Sequence, residues 1–149
     1  MTRLSIGDLS RATGVKATTI RWYEGEGLLP APARSEGGHR VYSEAHLSRL
    51  AFIRHARELG FGTGDVRELL RLADAAPDAP CEGADAIARR HLTAVRERLA
   101  RLQSLESELE RMTRCHNGRI AECRVIEVLA DAGHEHCADP THWGVDIGS

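Results

Sequence analysis

Cys115 and Cys123 flank a short loop containing Asn117 and Gly118 at the end of a long charged stretch, and Cys81 stands just before that stretch begins. Two thiols with seven residues between them would be strung out along a straight helix, whereas a glycine-containing loop can fold both sulfurs around one ion. The spacing therefore reads as a sensor site for a thiophilic metal ion. The chain has four cysteines, which in a reducing compartment are metal ligands or redox groups rather than two structural disulfides.

The elements that must position these sulfurs follow from periodicity and from breakers. Leu4-Ser5-Ile6-Gly7 reads as an extended start. Ile6, Leu9 and Ala12 then recur at the three-residue spacing of a short helix ending at Gly14. A second helix follows from Lys16 to Glu26 after a tight turn, which makes a helix-turn-helix. Pro30 and Pro32 exclude helix, and Ser35-Glu36-Gly37-Gly38 followed by His39-Arg40-Val41-Tyr42 reads as a short hairpin, or wing. Ser43 opens a helix running to Gly60, and its partner runs from Thr63 to Ala73.

Pro77 and Pro80 among small residues mark a linker. Beyond it Ala88, Leu92, Val95, Leu99, Leu102, Leu105, Leu109 and Met112 alternate spacings of three and four, with charges between them. So narrow a stripe needs a second helix, and dimerisation through a coiled coil supplies one. Past the cysteine loop, Val125, Ile126, Val128 and Leu129 form a short helix before a tail with His134, His136, Cys137 and His142, an auxiliary set of donors at most. The expected domains are 1–75 (winged helix-turn-helix), 76–80 (linker), 81–114 (dimerisation helix), 115–131 (metal-binding loop and short helix) and 132–149 (tail).

Charge separates the two halves. Residues 1–60 carry nine Lys and Arg against six Asp and Glu, a balance of +3, and residues 61–149 carry eleven against sixteen, a balance of −5. The basic half is the one expected on DNA. Lys16, Thr19, Arg21 and Tyr23 lie on or near the second helix, suited to the major groove, while Arg34, Arg40 and Tyr42 on the hairpin could grip the flanking backbone. No stretch approaches the roughly eighteen apolar residues of a membrane span, and the start lacks a signal peptide, so the expected location is the cytoplasm. No Gly-rich elbow, paired base or orienting acid accompanies the Cys and His residues, which argues against an enzyme.

Thr18-Thr19-Ile20-Arg21-Trp22-Tyr23-Glu24, then Gly27-Leu28-Leu29, Arg34 and Gly38-His39-Arg40-Val41-Tyr42 resemble the MerR family of bacterial transcription regulators. The resemblance continues through Phe52-Ile53-Arg54, Ala56-Arg57-Glu58-Leu59-Gly60-Phe61 and Leu69-Leu70 into the cysteine loop, covering about residues 3–130. It implies a mainly α fold: a winged helix-turn-helix domain with a β-hairpin wing, a long dimerisation helix in an antiparallel coiled coil, a metal-binding loop and a short final helix. It also implies a homodimer held on promoter double-stranded DNA whose spacer is too long for RNA polymerase. Metal binding then bends and undertwists that DNA, and the controlled gene serves efflux or detoxification.

By the same resemblance Cys81 of one subunit approaches Cys115 and Cys123 of the other. Copper(I) and silver sensors resembling this chain carry Ser where Cys81 stands, so a third thiolate argues for a divalent ion: zinc first, with cadmium, lead and mercury as alternatives. His116 could complete a tetrahedral zinc site. Two other readings stay open. One is a copper(I) or silver sensor, whose loop spacing is shared. The other is a thiol redox sensor using a reversible Cys115–Cys123 disulfide.

Overall fold

A computed structural model describes residues 3–114 and 118–130, and divides the chain after Ile87 into two units. The first unit opens with α1 (Ile6–Thr13), whose start is a reciprocal cap: the Asp8 amide donates to Ser5 Oγ at 3.2 Å and the Ser5 amide donates to Asp8 Oδ2 at 2.8 Å. The hydrogen bonds from Ser5, with the Arg11 guanidinium adding to them, hold the Asp8 carboxyl below the usual carboxylate range. Gly14 ends the helix at φ 72°, a left-handed conformation that glycine adopts without a Cβ penalty. The turn that follows is short enough for α2 (Ala17–Gly25) to begin at once.

Two short strands, β1 (Ala33–Arg34) and β2 (Arg40–Val41), pair antiparallel with Ala33 opposite Val41 and Arg34 opposite Arg40. The chain start is tied to this wing. Leu4 and Tyr42 exchange backbone hydrogen bonds of 2.9 and 2.8 Å, which accounts for the extended start. Next comes α3 (Glu44–Glu58), capped by Ser43, and then α4 (Thr63–Ala73), which has the limits expected from its breakers.

The core of this unit is Leu9, Ile20, Tyr23, Leu28, Leu29, Tyr42, Leu50, Ile53, Ala56, Val66 and Leu70, drawn from all four helices and the wing. Full burial of each aliphatic side chain contributes about 1.5–3 kcal/mol, so these few positions carry the unit. Polar ties close the gaps between elements. Arg54 donates to the Thr13 carbonyl at the turn after α1, and Arg49 donates to the Leu28 carbonyl at 2.8 Å and to Asp74 at 2.8 Å.

The long helix α5 spans Glu82–Thr113. The division at Ile87 falls beyond the proline-containing stretch because the first turns of α5 pack on this unit. Gly83 lies so close to Leu72 that an added Cβ would sit 3.3 Å from its side chain, and Ile87 is buried.

The second unit holds the rest of α5, a 3-10 turn at Ile120–Glu122 and α6 (Arg124–Ala130). Among its described residues only Glu108 and Val128 are buried. The stripe Leu92, Val95, Leu99, Leu102 and Leu109 stays 44–54% exposed in the single chain. A helix with that much apolar surface in water requires a partner. No described helix is long and apolar enough to cross a membrane.

Candidate DNA interface and metal centre

The helix α2 is amphipathic by a simple device. Ile20 and Tyr23 point into the core, which leaves Arg21 exposed and Thr19 half-exposed on the other side, with Lys16 exposed at the cap. Arg34 is exposed on β1, and its Nη1 donates to the Gly38 carbonyl at 2.9 Å, closing the tip of the wing. Arg40 is half-buried on β2.

Tyr42 is placed differently from the sequence expectation. Tyr42 is 1% exposed, and its hydroxyl donates to Glu24 Oε1 at 2.6 Å, so it is not presented on the wing to grip a backbone. Tyr23 is also buried, with its ring tilted against Trp22 at 5.4 Å between centroids. The physical reason lies in alternation: once Leu4 bridges to Tyr42, the large ring is directed into the core and fills it.

The residue that sequence reasoning passed over is Glu24, quoted there only as part of a matched stretch. It sits on α2 with its side chain 11% exposed and accepts from both Tyr42 and Arg40 Nε, the latter at 3.3 Å. An acid one turn after Arg21 on the helix expected to face DNA was the available signal.

Burial, reinforced by the hydrogen bond to Glu24 and its charge, pushes the Tyr42 hydroxyl well above the ordinary phenol value. A group whose folded pKa is raised stabilises the fold below its unfolded value, near 10, and that stability is lost as pH climbs above it. Thermal unfolding followed from about pH 9 to about pH 11 should therefore show a falling melting temperature that is flatter in Tyr42→Phe. Parallel slopes in the two proteins would show that another group is responsible.

The sulfur donors lie at the ends of the helices. Cys81 is exposed immediately before α5, and its carbonyl accepts from the Asp85 amide at 3.0 Å. Cys123 is half-buried where the 3-10 turn passes into α6, and its carbonyl accepts from the Glu127 amide at 3.0 Å. Gly118 in the preceding loop takes φ 64°. Both thiols are free, and free accessible thiols are the donor chemistry a thiophilic ion requires. Cys115 and His116 lie outside the described residues, as do His134, His136, Cys137 and His142. Among the described residues no group of three or more His, Cys, Asp or Glu is placed to hold a metal.

Residues 4–73 match the family described as MerR HTH family regulatory protein, and residues 47–112 match the family described as MerR, DNA binding. The chain belongs to the MerR family. It is a DNA-binding transcriptional regulator of the metal-responsive branch and not an enzyme. Regulators of this family bind promoter DNA as homodimers.

It is 37% identical over 127 residues to the HTH-type transcriptional regulator ZntR of Escherichia coli K12, covering 83% of this chain and 90% of that protein. It is also 37% identical over 139 residues to the mercuric resistance operon regulatory protein of Serratia marcescens, covering 91% and 94%. Among solved structures it is similar to the transcription regulator PbrR691 from Ralstonia metallidurans CH34 in complex with lead(II). The TM-score is 0.72 and the identity 39%, covering 85% of this chain and 98% of that one.

Proposed function

We propose that this regulator works in the cytoplasm as an antiparallel homodimer on promoter DNA with an over-long spacer, where it responds to a thiophilic divalent ion, zinc foremost. Cys81 of one subunit would hold the ion together with Cys115 and Cys123 of the other, with His116 as a further donor. The observation that carries this reading is a pair of free thiols, Cys81 just before α5 and Cys123 at the entry to α6, on a chain whose long helix leaves its apolar seam exposed.

The antiparallel sense is the one the family resemblance implies. It sets the first turn of one helix beside the last turn of the other, where the cysteine loop begins.

When bound, the ion supplies a bond between sulfurs of two chains. The protein's part is to present those sulfurs so that they converge better in one arrangement of the dimer than in another. Only that difference in affinity can shift the equilibrium. On the DNA the shift is spent on bending and untwisting the spacer, so that RNA polymerase meets both promoter elements.

Lys16, Thr19 and Arg21 on α2, with Arg34 and Arg40 on the wing, are assigned to DNA, and Tyr23 and Tyr42 to holding those elements in place. Arg21→Ala should weaken operator binding and reduce the slope of log affinity against log salt by about 0.9 for each phosphate that the arginine neutralises. An unchanged slope with unchanged affinity would remove Arg21 from the interface.

A further inference from the structure

One carboxylate joins the two elements assigned to DNA. Glu24 projects from α2 with its side chain 11% exposed, and each of its oxygens is used by the wing: Oε1 accepts from the Tyr42 hydroxyl at 2.6 Å and Oε2 from Arg40 Nε at 3.3 Å. Tyr42 also carries the backbone bridge to Leu4. The charges of Arg21 and Arg40 both reach its hydroxyl, so these groups share one neighbourhood. Among the described residues the two terminal nitrogens of Arg40 make no hydrogen bond, and only Nε is engaged.

We propose that Glu24 is a positioning residue for DNA recognition: it holds Arg40 by Nε and Tyr42 by its hydroxyl, so that the wing guanidinium offers its free fork to a DNA phosphate in register with α2. This rests on the assignment of the wing to DNA. A flexible arginine gives up rotamer freedom on binding, and Glu24 removes that freedom beforehand. Phosphate and carboxylate are both anions, so Glu24 itself faces the wrong charge for contact. Its benefit comes through the residue it holds.

That charge gives the test a sign. If Glu24 were merely a nearby acid, Glu24→Gln would remove a repulsion and tighten DNA binding. A glutamine keeps one carbonyl oxygen for Tyr42 but turns an NH2 group toward Arg40, where donor meets donor and Arg40 is released. Operator affinity and its salt slope are to be measured for E24Q, R40A and the double variant, alongside melting temperatures. Glu24→Gln should weaken binding by about three- to ten-fold, the worth of ordering one long side chain, with a melting temperature near that of the parent. Arg40→Ala should weaken binding and lower the slope by about 0.9. In the Arg40→Ala background the added Glu24→Gln should cost nothing further, since its effect runs through Arg40.

Tighter or unchanged binding in Glu24→Gln, or losses that add in the double variant, would overturn the proposal. An Arg40→Ala variant that binds as the parent does would instead overturn the assignment of the wing to DNA, and this proposal with it. Should Glu24→Gln fail to fold, Arg40→Lys supplies the second test: it keeps the charge but has no Nε to be held, so it should lose affinity, and parental affinity would overturn the proposal.

Discussion

Cys123→Ser is expected to abolish transcription at the metal concentration that induces the parent, while leaving operator affinity within about two-fold of the parent, the range of a substitution remote from the interface. The two effects separate because the DNA-facing candidates lie in the first unit, between Lys16 and Arg40, and Cys123 lies in the second. Serine is a good helix N-cap, so the entry to α6, where the Glu127 amide bonds the residue 123 carbonyl, keeps its geometry. What changes is the donor. A hydroxyl does not ionise near neutral pH and is a poor ligand for soft ions.

Loss of a group that merely orients a ligand costs about 10- to 100-fold in metal affinity, so loss of a ligand itself should raise the inducing concentration by at least about 100-fold. In vitro transcription titrated with zinc, cadmium, lead and mercury, run beside operator binding on the same preparations, reads both quantities. Full induction at the parental metal concentration would remove Cys123 from the site. Loss of operator binding without metal would deny the separation of the two units' tasks.

Leu102→Arg has the second large effect, on assembly. In the single chain Leu102 is 54% exposed, so an arginine there displaces nothing within the protomer and would be nearly neutral if the helix worked alone. In a two-fold dimer the position occurs twice, and each copy forfeits the burial of the exposed half of a leucine, about 0.8–1.5 kcal/mol, and sets a charge in the seam. The dimer should therefore weaken by at least roughly 1.5–3 kcal/mol, or about 10- to 150-fold in dissociation constant.

Sedimentation at micromolar concentration should find monomer with helix content retained. Operator binding should collapse with it, because two linked helix-turn-helix units are needed to span two half-sites. A Leu102→Arg protein that remains dimeric would show that the exposed stripe on α5 is not the seam.

The helices are largely legible in the sequence, and for local reasons. Gly14 and Gly60 punctuate the chain, and the breakers around α4 set its limits at Thr63 and Ala73. The seam on α5 is legible because spacings of three and four have no other economical use, and the exposed leucines match it.

What is not legible depends on pairings between distant residues. The burial of Tyr42 follows from its bridge to Leu4, and the role of Glu24 follows from partners 16 and 18 positions away. The packing of Gly83 on Leu72, which carries the first turns of α5 into the first unit, leaves no periodic trace either. For the metal centre, spacing singles out Cys115 and Cys123, while Cys81 and the neighbouring His116 enter through the family resemblance. The described residues place two of them as free thiols beside helix ends.

The measurement closest to the central claim is X-ray absorption at the zinc edge of the reduced dimer loaded with zinc, compared with the Cys81→Ser protein. Sulfur scatterers at about 2.3 Å are expected, one fewer of them in the variant, because in the proposed site one thiolate is that of Cys81 and the others those of Cys115 and Cys123. A first shell made only of nitrogen and oxygen at about 2.0–2.2 Å would contradict the account.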